Sequence, residues 1–238
     1  MRIAIIGYGK MGKAIEKTAL NRGYSVVSVI DCENSAQEIK KLSGKIDVAI
    51  EFTNPNSAQE NIYECLNNKI SVVSGTTGWI IDAEEVSRLC NKNSVAMFYA
   101  SNFSIGMNIF MVINEKLALL LNKFEDYSVK IEETHHVHKL DKPSGTAITL
   151  AKGIIENNGK YNEWGLDYAS DIYNLIIHSF REGETIGDHK IIWENNIDKI
   201  VIEHSAKNRD GFVLGALLAA EYIKGKEGFF TMRNIFNL

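Results

Sequence analysis

Short apolar runs recur along the first hundred residues, at Ile3–Ile6, Val26–Ile30, Val48–Phe52, Ile70–Val73 and Val95–Tyr99. Runs of that length, mostly apolar rather than strictly alternating, predict strands of a parallel sheet buried on both faces. Between them the apolar positions take helical spacing, over Lys10–Asn21, Ser35–Leu42, Ser57–Asn67 and Ala83–Asn91. Strand and helix in regular alternation predict an α/β fold built on a doubly wound parallel sheet.

The rhythm then changes. Ile105–Leu121 predicts one long apolar helix and Tyr127–Glu132 a strand; Lys142-Pro143-Ser144-Gly145 is a turn leading into a helix from Thr146 to Glu156. Strands follow at Ile172–Phe180, His189–Trp193 and Lys199–His204, separated by polar turns. Strands gathered in this way predict a second, smaller α+β domain with an antiparallel or mixed sheet. The apolar helix Gly211–Lys224 fits either domain on periodicity alone. No repeat, low-complexity tract or long linker interrupts the chain, so short hinges are expected between domains.

Composition narrows the function classes. Of 238 residues, 45% are hydrophobic and 24% charged, with a formal net charge of −4. This is the make-up of a folded globular chain without the clustered basic excess that nucleic acid or an anionic membrane would require. The opening Met1-Arg2 runs directly into an apolar strand and a glycine loop, which reads as a cytoplasmic start. Cys32, Cys65 and Cys90 are far apart and odd in number, so buried free thiols are expected rather than a disulfide framework or zinc ribbon.

Gly7-Tyr8-Gly9-Lys10-Met11-Gly12 is a GxGxxG placed after a predicted strand and opening a predicted helix. In a βαβ unit the first glycine makes the tight turn, the second lets backbone approach a pyrophosphate and the third lets helix and strand pack. The helix N-terminus then offers free N–H groups to the phosphate. A Rossmann-type dinucleotide domain follows from that context. Asp31, at the end of the second strand, is placed to accept from the adenosine ribose; Cys32 and Glu33 follow it, so a 2′-phosphate has no evident partner there. Gly75-Thr76-Thr77-Gly78 and Ala100-Ser101-Asn102-Phe103 end the fourth and fifth strands at the sheet edge where such folds bind ligands, and suit contacts to the nicotinamide half.

The densest polar cluster is Glu133-Thr134-His135-His136-Val137-His138-Lys139-Leu140-Asp141-Lys142-Pro143-Ser144-Gly145-Thr146-Ala147. A metal site is the weaker reading, because on an extended strand His136 and His138 share a face that His135 does not, and no matching cluster stands elsewhere. A solvated loop explains the charges but not the abrupt entry into an apolar helix. An anion-and-acid site explains both. Ser144 or Thr146 caps the helix, the Gly145 and Thr146 amides face a carboxylate, Lys139 adds a positive charge and the histidines carry protons near neutral pH.

This segment resembles the signature of the dihydrodipicolinate reductases, E-x-H-x-x-x-K-x-D-x-P-S-G-T-A, with Glu133, His135, Lys139, Asp141, Pro143, Ser144, Gly145, Thr146 and Ala147 matching. The resemblance extends to the glycine loop, Gly75-Thr76-Thr77-Gly78, Ser101–Gly106, Arg181-Glu182-Gly183, Ile186–His189, Ile202–Ala206, Arg209 and Met232-Arg233. Lys130 departs from it, standing where the signature opens with Glu, on what reads as an outward strand position. The glycine loop is one residue shorter than in long-chain members.

The resemblance implies reduction, by NADH or NADPH, of the cyclic dicarboxylate formed when 4-hydroxy-tetrahydrodipicolinate loses water, a step of lysine and diaminopimelate biosynthesis. It implies His135 and Lys139 as the catalytic, proton-handling pair, and His136, Ser144, Gly145 and Thr146 as carboxylate-binding residues, with no metal. Residues Gly7–Gly12, Asp31, Gly75, Thr76, Thr77, Ala100, Ser101, Asn102 and Phe103 would contact the cofactor. It also implies that 1–103, completed by 210–238, form the dinucleotide-binding domain. Residues 104–209 would form a domain that binds substrate, closes over the nicotinamide and builds a homotetramer through its mixed sheet. An aspartate-type amino-acid dehydrogenase fits the glycine loop but not the PSGTA segment. A nucleotide sensor would not need both His135 and Lys139.

Overall fold

Ile3–Ile6 offers water no polar side chain, and in the computed structural model Arg2–Ile6 (β1) runs inside a six-stranded sheet whose pairings are all parallel. The structure describes residues 1–31, 35–168 and 173–237 and divides into two units, Met1–Ile105 with Asp210–Leu238, and Gly106–Arg209.

In the first unit, β1 is followed by α1 (Lys10–Asn21), β2 (Ser25–Ile30), α2 (Ser35–Lys40), β3 (Val48–Glu51), α3 (Pro55–Asn67), β4 (Val72–Ser74), α4 (Ala83–Asn93) and β5 (Ala96–Tyr99). Successive side chains on a strand point to opposite faces. Ile3, Ile5, Val48, Ile50 and Phe98 accordingly enter one core, while Ala4, Ile6, Ala49 and Met97 enter another. With both faces covered, apolar alternation is lost, which is why the runs read as continuous. Val26–Ile30 is the exception. It was expected to be buried, but β2 is the sheet's edge, beyond β1, and Val27 and Val29 are exposed. Side-chain caps start two of the helices, Asn54 accepting from Asn56 N at α3 and Asp82 from Glu85 N at α4.

The second unit runs from α5 (Ile105–Leu121) through β6 (Ser128–His135), α6 (Gly145–Asn157), β7 (Glu163–Leu166), β8 (Asn174–Arg181) and β9 (Asp188–Glu194) to β10 (Lys199–Ser205). Its five-stranded sheet has the order β10-β9-β6-β8-β7 and is mixed: β6 pairs parallel with β8 and antiparallel with β9. Val129, Ile131, Leu175, Ile177, Ile191 and the fully buried Trp193 point to one face, in a core shared with Met107 and Phe110 of α5 and Leu150 and Ile154 of α6. Lys130 points to the other face, beside Glu132 and Glu194.

The chain then returns to the first unit as α7 (Asp210–Ile223), β11 (Gly228–Phe230) and α8 (Met232–Ile235), with β11 pairing parallel to β5 as the sheet's second edge. Three elements lack sequence precedent, namely β7, β11 and α8; each spans three or four residues, too few to show a period. β6 runs to His135 rather than ending at Glu132, and the strand expected from Ile172 begins at Asn174. Ile172 itself, and the expectation of a buried thiol at Cys32, lie outside the described residues. Cys65 and Cys90 are buried and free, and burial pushes the Cys65 thiol up, as it does Cys90, to about 11. Among the described residues no helix is long and apolar enough to cross a membrane.

Candidate active site

The glycine loop comes first because β1 aims it. Gly7 has φ +91, a region that side-chain-bearing residues rarely adopt, and a Cβ there would meet the Phe52 carbonyl oxygen at 2.1 Å. A Cβ on Gly12 would meet the Gly7 carbonyl oxygen at 2.1 Å, so this glycine lets α1 pack on the loop. Around Gly9, by contrast, a Cβ would have nothing within 4 Å, and α1 starts there without a side-chain cap. No side chain of the N-cap occupies its first amides, the arrangement that receives a phosphate.

Two grooves meet at this loop. One, of about 520 Å³, is lined by Gly7, Tyr8, Gly9, Asp31, Ser35, Phe52, Thr53, Asn54, Ser57 and Asn61 among others. Asp31 is exposed and accepts from the Tyr8 amide at 3.3 Å, which ties it to the loop. The second, of about 470 Å³, joins Gly9, Lys10 and Met11 to Gly75, Thr76 and Thr77, sharing Phe52–Asn54 with the first. Ala100 and Phe103 lie elsewhere: both are buried in the core, Phe103 against Phe52 and Phe98. Ser101 is exposed, and Asn102 accepts from the Ser104 amide at 2.9 Å.

The floor of these grooves rests on a residue that sequence reasoning missed. Glu51, fully buried at the end of β3, accepts from Ser74 Oγ at 2.6 Å, Thr76 Oγ1 at 2.8 Å and Thr53 N at 3.0 Å, and also from the Thr53 hydroxyl. A buried carboxylate needs such donors, and the donors fix the two loops. The available signal was an acidic residue set inside the otherwise apolar run Val48–Phe52.

In the second unit the histidine signature is organised by strand register. Glu133 on β6 stands opposite Ser179 of β8 and His189 of β9, and His135 stands opposite Arg181. Glu133, His135, Ser144, Ser179 and His189 are all buried. Glu133 Oε1 accepts from the Ser144 amide at 2.9 Å and from Ser179 Oγ at 2.5 Å, with Arg181 Nη1 at 3.6 Å. Its Oε2 faces His135 Nδ1 at 3.4 Å and His189 Nε2 at 3.7 Å. Burial by itself would raise the Glu133 carboxyl, but the hydrogen bonds from Ser144 and Ser179 outweigh it and hold the group below the ordinary glutamate range. Burial lowers His135, Glu133 opposes that, and Lys139 and Arg181 reinforce it, leaving the ring below its usual value. Burial also takes His189 down to about 4, so it is neutral near physiological pH.

Beyond His135 the strand stops, and His136–His138 form a turn rather than the extended continuation expected of them. The rings of His136 and His138 lie 6.1 Å apart, and His138, largely exposed, pairs with Glu184. Lys139 Nζ binds both oxygens of Asp141, at 2.7 and 2.8 Å. Arg181 clamps this turn by donating to the Lys139 and Asp141 carbonyls. Ser144 caps α6, its Oγ accepting from Ala147 N at 3.1 Å, so the hydroxyl is committed inside the turn. Gly145 is exposed and Thr146 half-buried in the first turn that the cap sets.

Glu133, His135 and His189 place a carboxylate and two imidazoles within 4.8 Å, a donor set that suits a divalent transition metal. The sequence offered no matching cluster elsewhere, and β9 adds a single histidine, His189, to the run. Arg181, beside the same carboxylate, sets a fixed positive charge against a cation there. Ser179, Arg181 and His189 carried no signal of this convergence, because it is made by register.

Family models match the chain in two parts, "Dihydrodipicolinate reductase, N-terminus" over residues 1–103 and "Dihydrodipicolinate reductase, C-terminus" over residues 106–236. The 4-hydroxy-tetrahydrodipicolinate reductase of Christiangramia forsetii is 48% identical over 237 residues, covering 100% of this chain and 98% of the relative. That of Methanocaldococcus jannaschii is 34% identical over 213 residues, covering 86% and 77%. Among solved structures, a dipicolinate-bound dihydrodipicolinate reductase from Paenisporosarcina sp. TG-14 superposes with a TM-score of 0.80 at 26% identity, over 99% of each chain. An amine dehydrogenase from Mycobacterium smegmatis, with a TM-score of 0.61 at 10% identity over 98% of this chain and 95% of its own, shares the fold.

Proposed function

The chain belongs to the dihydrodipicolinate reductase family, and from that premise we propose that His135 and Lys139 supply the proton and the positive charge for its reaction. It is a pyridine-nucleotide-dependent reductase of lysine and diaminopimelate biosynthesis, and the aspartate-type dehydrogenase reading is not favoured. The substrate is the cyclic unsaturated dicarboxylate formed when 4-hydroxy-tetrahydrodipicolinate loses water.

The first unit fits a dinucleotide through its uncapped α1, the clear space at Gly9 and the groove that runs past Asp31. When bound, the reduced nicotinamide supplies hydride to ring C4 of the substrate. Hydride addition leaves one negative charge spread toward the ring nitrogen, and the product needs one proton more. Supplying both a cation and a proton as that charge develops lowers the barrier, because the interaction is strongest in the transition state. The observation that carries this reading is the convergence on Glu133: one carboxylate links the buried ring of His135 to the Ser144 amide at the start of α6. The first-turn amides of Gly145 and Thr146, with His136, then hold a substrate carboxylate, while Ser144 shapes the turn. A bound dianion also raises the pKa of His135, charging the ring when substrate is in place.

We assign the second face of the mixed sheet to contacts between copies. Ile176, Phe180 and Val201 alternate there with charged residues such as Lys190, which pairs with Glu203, and Phe180 and Val201 are exposed. A homotetramer should scatter light near four times 26.7 kDa, and a monomer at micromolar concentration would refute the assignment.

Asp31 sets the cofactor preference. Its carboxylate accepts from the ribose of NADH and repels a 2′-phosphate, so NADH should serve at least as well as NADPH. Asp31→Ala should raise KM for NADH much more than for NADPH; a preference of about tenfold for NADPH in the wild type would overturn the assignment.

His135→Ala and Lys139→Ala should each lower kcat by about 10²–10⁴, the range for a lost general acid. KM for the dicarboxylate should shift more for Lys139→Ala, whose charge also attracts the anion, and Thr146→Val should raise KM more than it lowers kcat. NADH affinity, read by fluorescence, should survive all three. Near wild-type kcat in both alanine variants would contradict the catalytic assignment.

A further inference from the structure

We infer that Glu133 is the positioning residue for His135: its carboxylate holds the Nδ1 proton of the ring, leaving Nε2 as the nitrogen that exchanges a proton with substrate. The inference rests on the reading of His135 as the proton-handling group and adds which nitrogen acts and what selects it.

The selection follows from what the two oxygens of Glu133 already do. β6 alternates, so Glu133 and His135, two positions apart, share its buried face. Oε1 is occupied by the Ser144 amide and the Ser179 hydroxyl. Oε2 and His135 Nδ1 are both buried, lie 3.4 Å apart, and neither makes a hydrogen bond among the described residues. With the proton on Nδ1, a small rotation of the ring closes that approach into a hydrogen bond and satisfies both atoms. With the proton on Nε2, a nitrogen lone pair would face a carboxylate lone pair in the protein interior, which is costly on both sides. The second neighbour of Oε2 is His189 Nε2 at 3.7 Å, and His189 stays neutral, so it neither takes the carboxylate's charge nor acts as a rival acid.

The opposite nitrogen is kept clear. A Cβ built on Gly187 would lie 3.1 Å from His135 Nε2, so a side chain at this position would crowd the nitrogen left for chemistry. The charged and titratable groups acting on the ring are Glu133 of β6, Lys139 and Asp141 of the following turn, Arg181 of β8 and His189 of β9, itself faced by His204. Burial, Lys139 and Arg181 disfavour the imidazolium; Glu133 is the strongest influence in its favour. Removing that charge therefore lowers the pKa of His135. A general acid works while protonated, so its alkaline limb must move to lower pH.

Glu133→Gln tests this. The Ser144 amide and Ser179 hydroxyl still require an acceptor, so the amide oxygen takes the Oε1 place and its NH₂ faces Nδ1, moving the neutral ring's proton to Nε2. An amide behind a catalytic imidazole selects the wrong tautomer in the same way in serine hydrolases, at a cost of about 10⁴ in rate. We expect kcat to fall by about 10²–10³, with KM for the dicarboxylate and NADH affinity changing less than about threefold. The alkaline limb of kcat should shift to lower pH, and Glu133→Asp, which keeps the charge, should restore the limb. A folding-independent reading comes from the wild type: ¹⁵N-histidine NMR, assigned by loss of the signal in His135→Gln, should show the neutral His135 ring protonated at Nδ1. A wild-type proton on Nε2 overturns the inference. So does a Glu133→Gln enzyme whose limb is unmoved, whether kcat is retained or falls together with Tm and substrate affinity. If His135→Ala itself keeps wild-type kcat, the underlying assignment fails; if that variant is impaired while Glu133→Gln is not, only the positioning role fails.

Discussion

A carboxylate buried among apolar strands is expensive unless polar groups are gathered round it, and Glu133 draws them from four elements, with hydrogen bonds to Oε1 and two imidazoles facing Oε2. The Ser144 amide comes from the start of α6, the Ser179 hydroxyl and Arg181 from β8, His189 from β9, and His135 from its own strand. Those on β8 and β9 reach Glu133 only when the sheet has its register. The charge therefore does more than sit in the site. It makes the position of the ring, the entry into α6 and the turn clamped by Arg181 conditions of one another.

The first unit uses the same device at Glu51. There the buried carboxylate closes β3 and collects hydroxyls and an amide from β4 and from the loops after β3 and β4, at Ser74, Thr53 and Thr76. Those loops form the edge of the groove beside Gly9. In both units the fold puts a single buried carboxylate near the carboxyl end of a strand and lets its hydrogen-bond demand shape the neighbouring loops. Arg181 shows the complementary rule. Its guanidinium donates to the Lys139 and Asp141 carbonyls as well as to the Ser179 hydroxyl and the Phe180 carbonyl, so it ties the turn that carries Lys139 to β8.

Much of this was legible in the residues, for reasons that mark its limits. The glycine loop is readable because each glycine answers a local steric demand, and Gly7 and Gly12 meet backbone where a Cβ would collide. Strands covered on both faces announce themselves as continuous apolar runs. Edge status is not local, and Val27 and Val29 are as apolar as their buried counterparts, so the exposure of β2 follows only from strand order. The signature segment stands out in the sequence as a run of charged and imidazole side chains ahead of an apolar helix. What could not be read was that β6 continues to His135, or that Glu133 pairs in register with Ser179 and His189. Nothing in β8 or β9 taken alone states which of their residues will face Glu133. The likeness to the family supplied Glu133, Arg181 and His189 as matches, but not Ser179, and did not say what they do together.

If Glu133 works through His135, the two effects cannot be independent, and a double-mutant cycle reads that dependence directly. Steady-state kcat would be measured for the wild type, Glu133→Gln, His135→Ala and the double variant in one buffer. Once the ring is gone, removing the charge that orients it should cost almost nothing, so the double variant should turn over as His135→Ala does. A double variant whose loss is the product of the two single losses would show that Glu133 and His135 act separately, and would contradict the account.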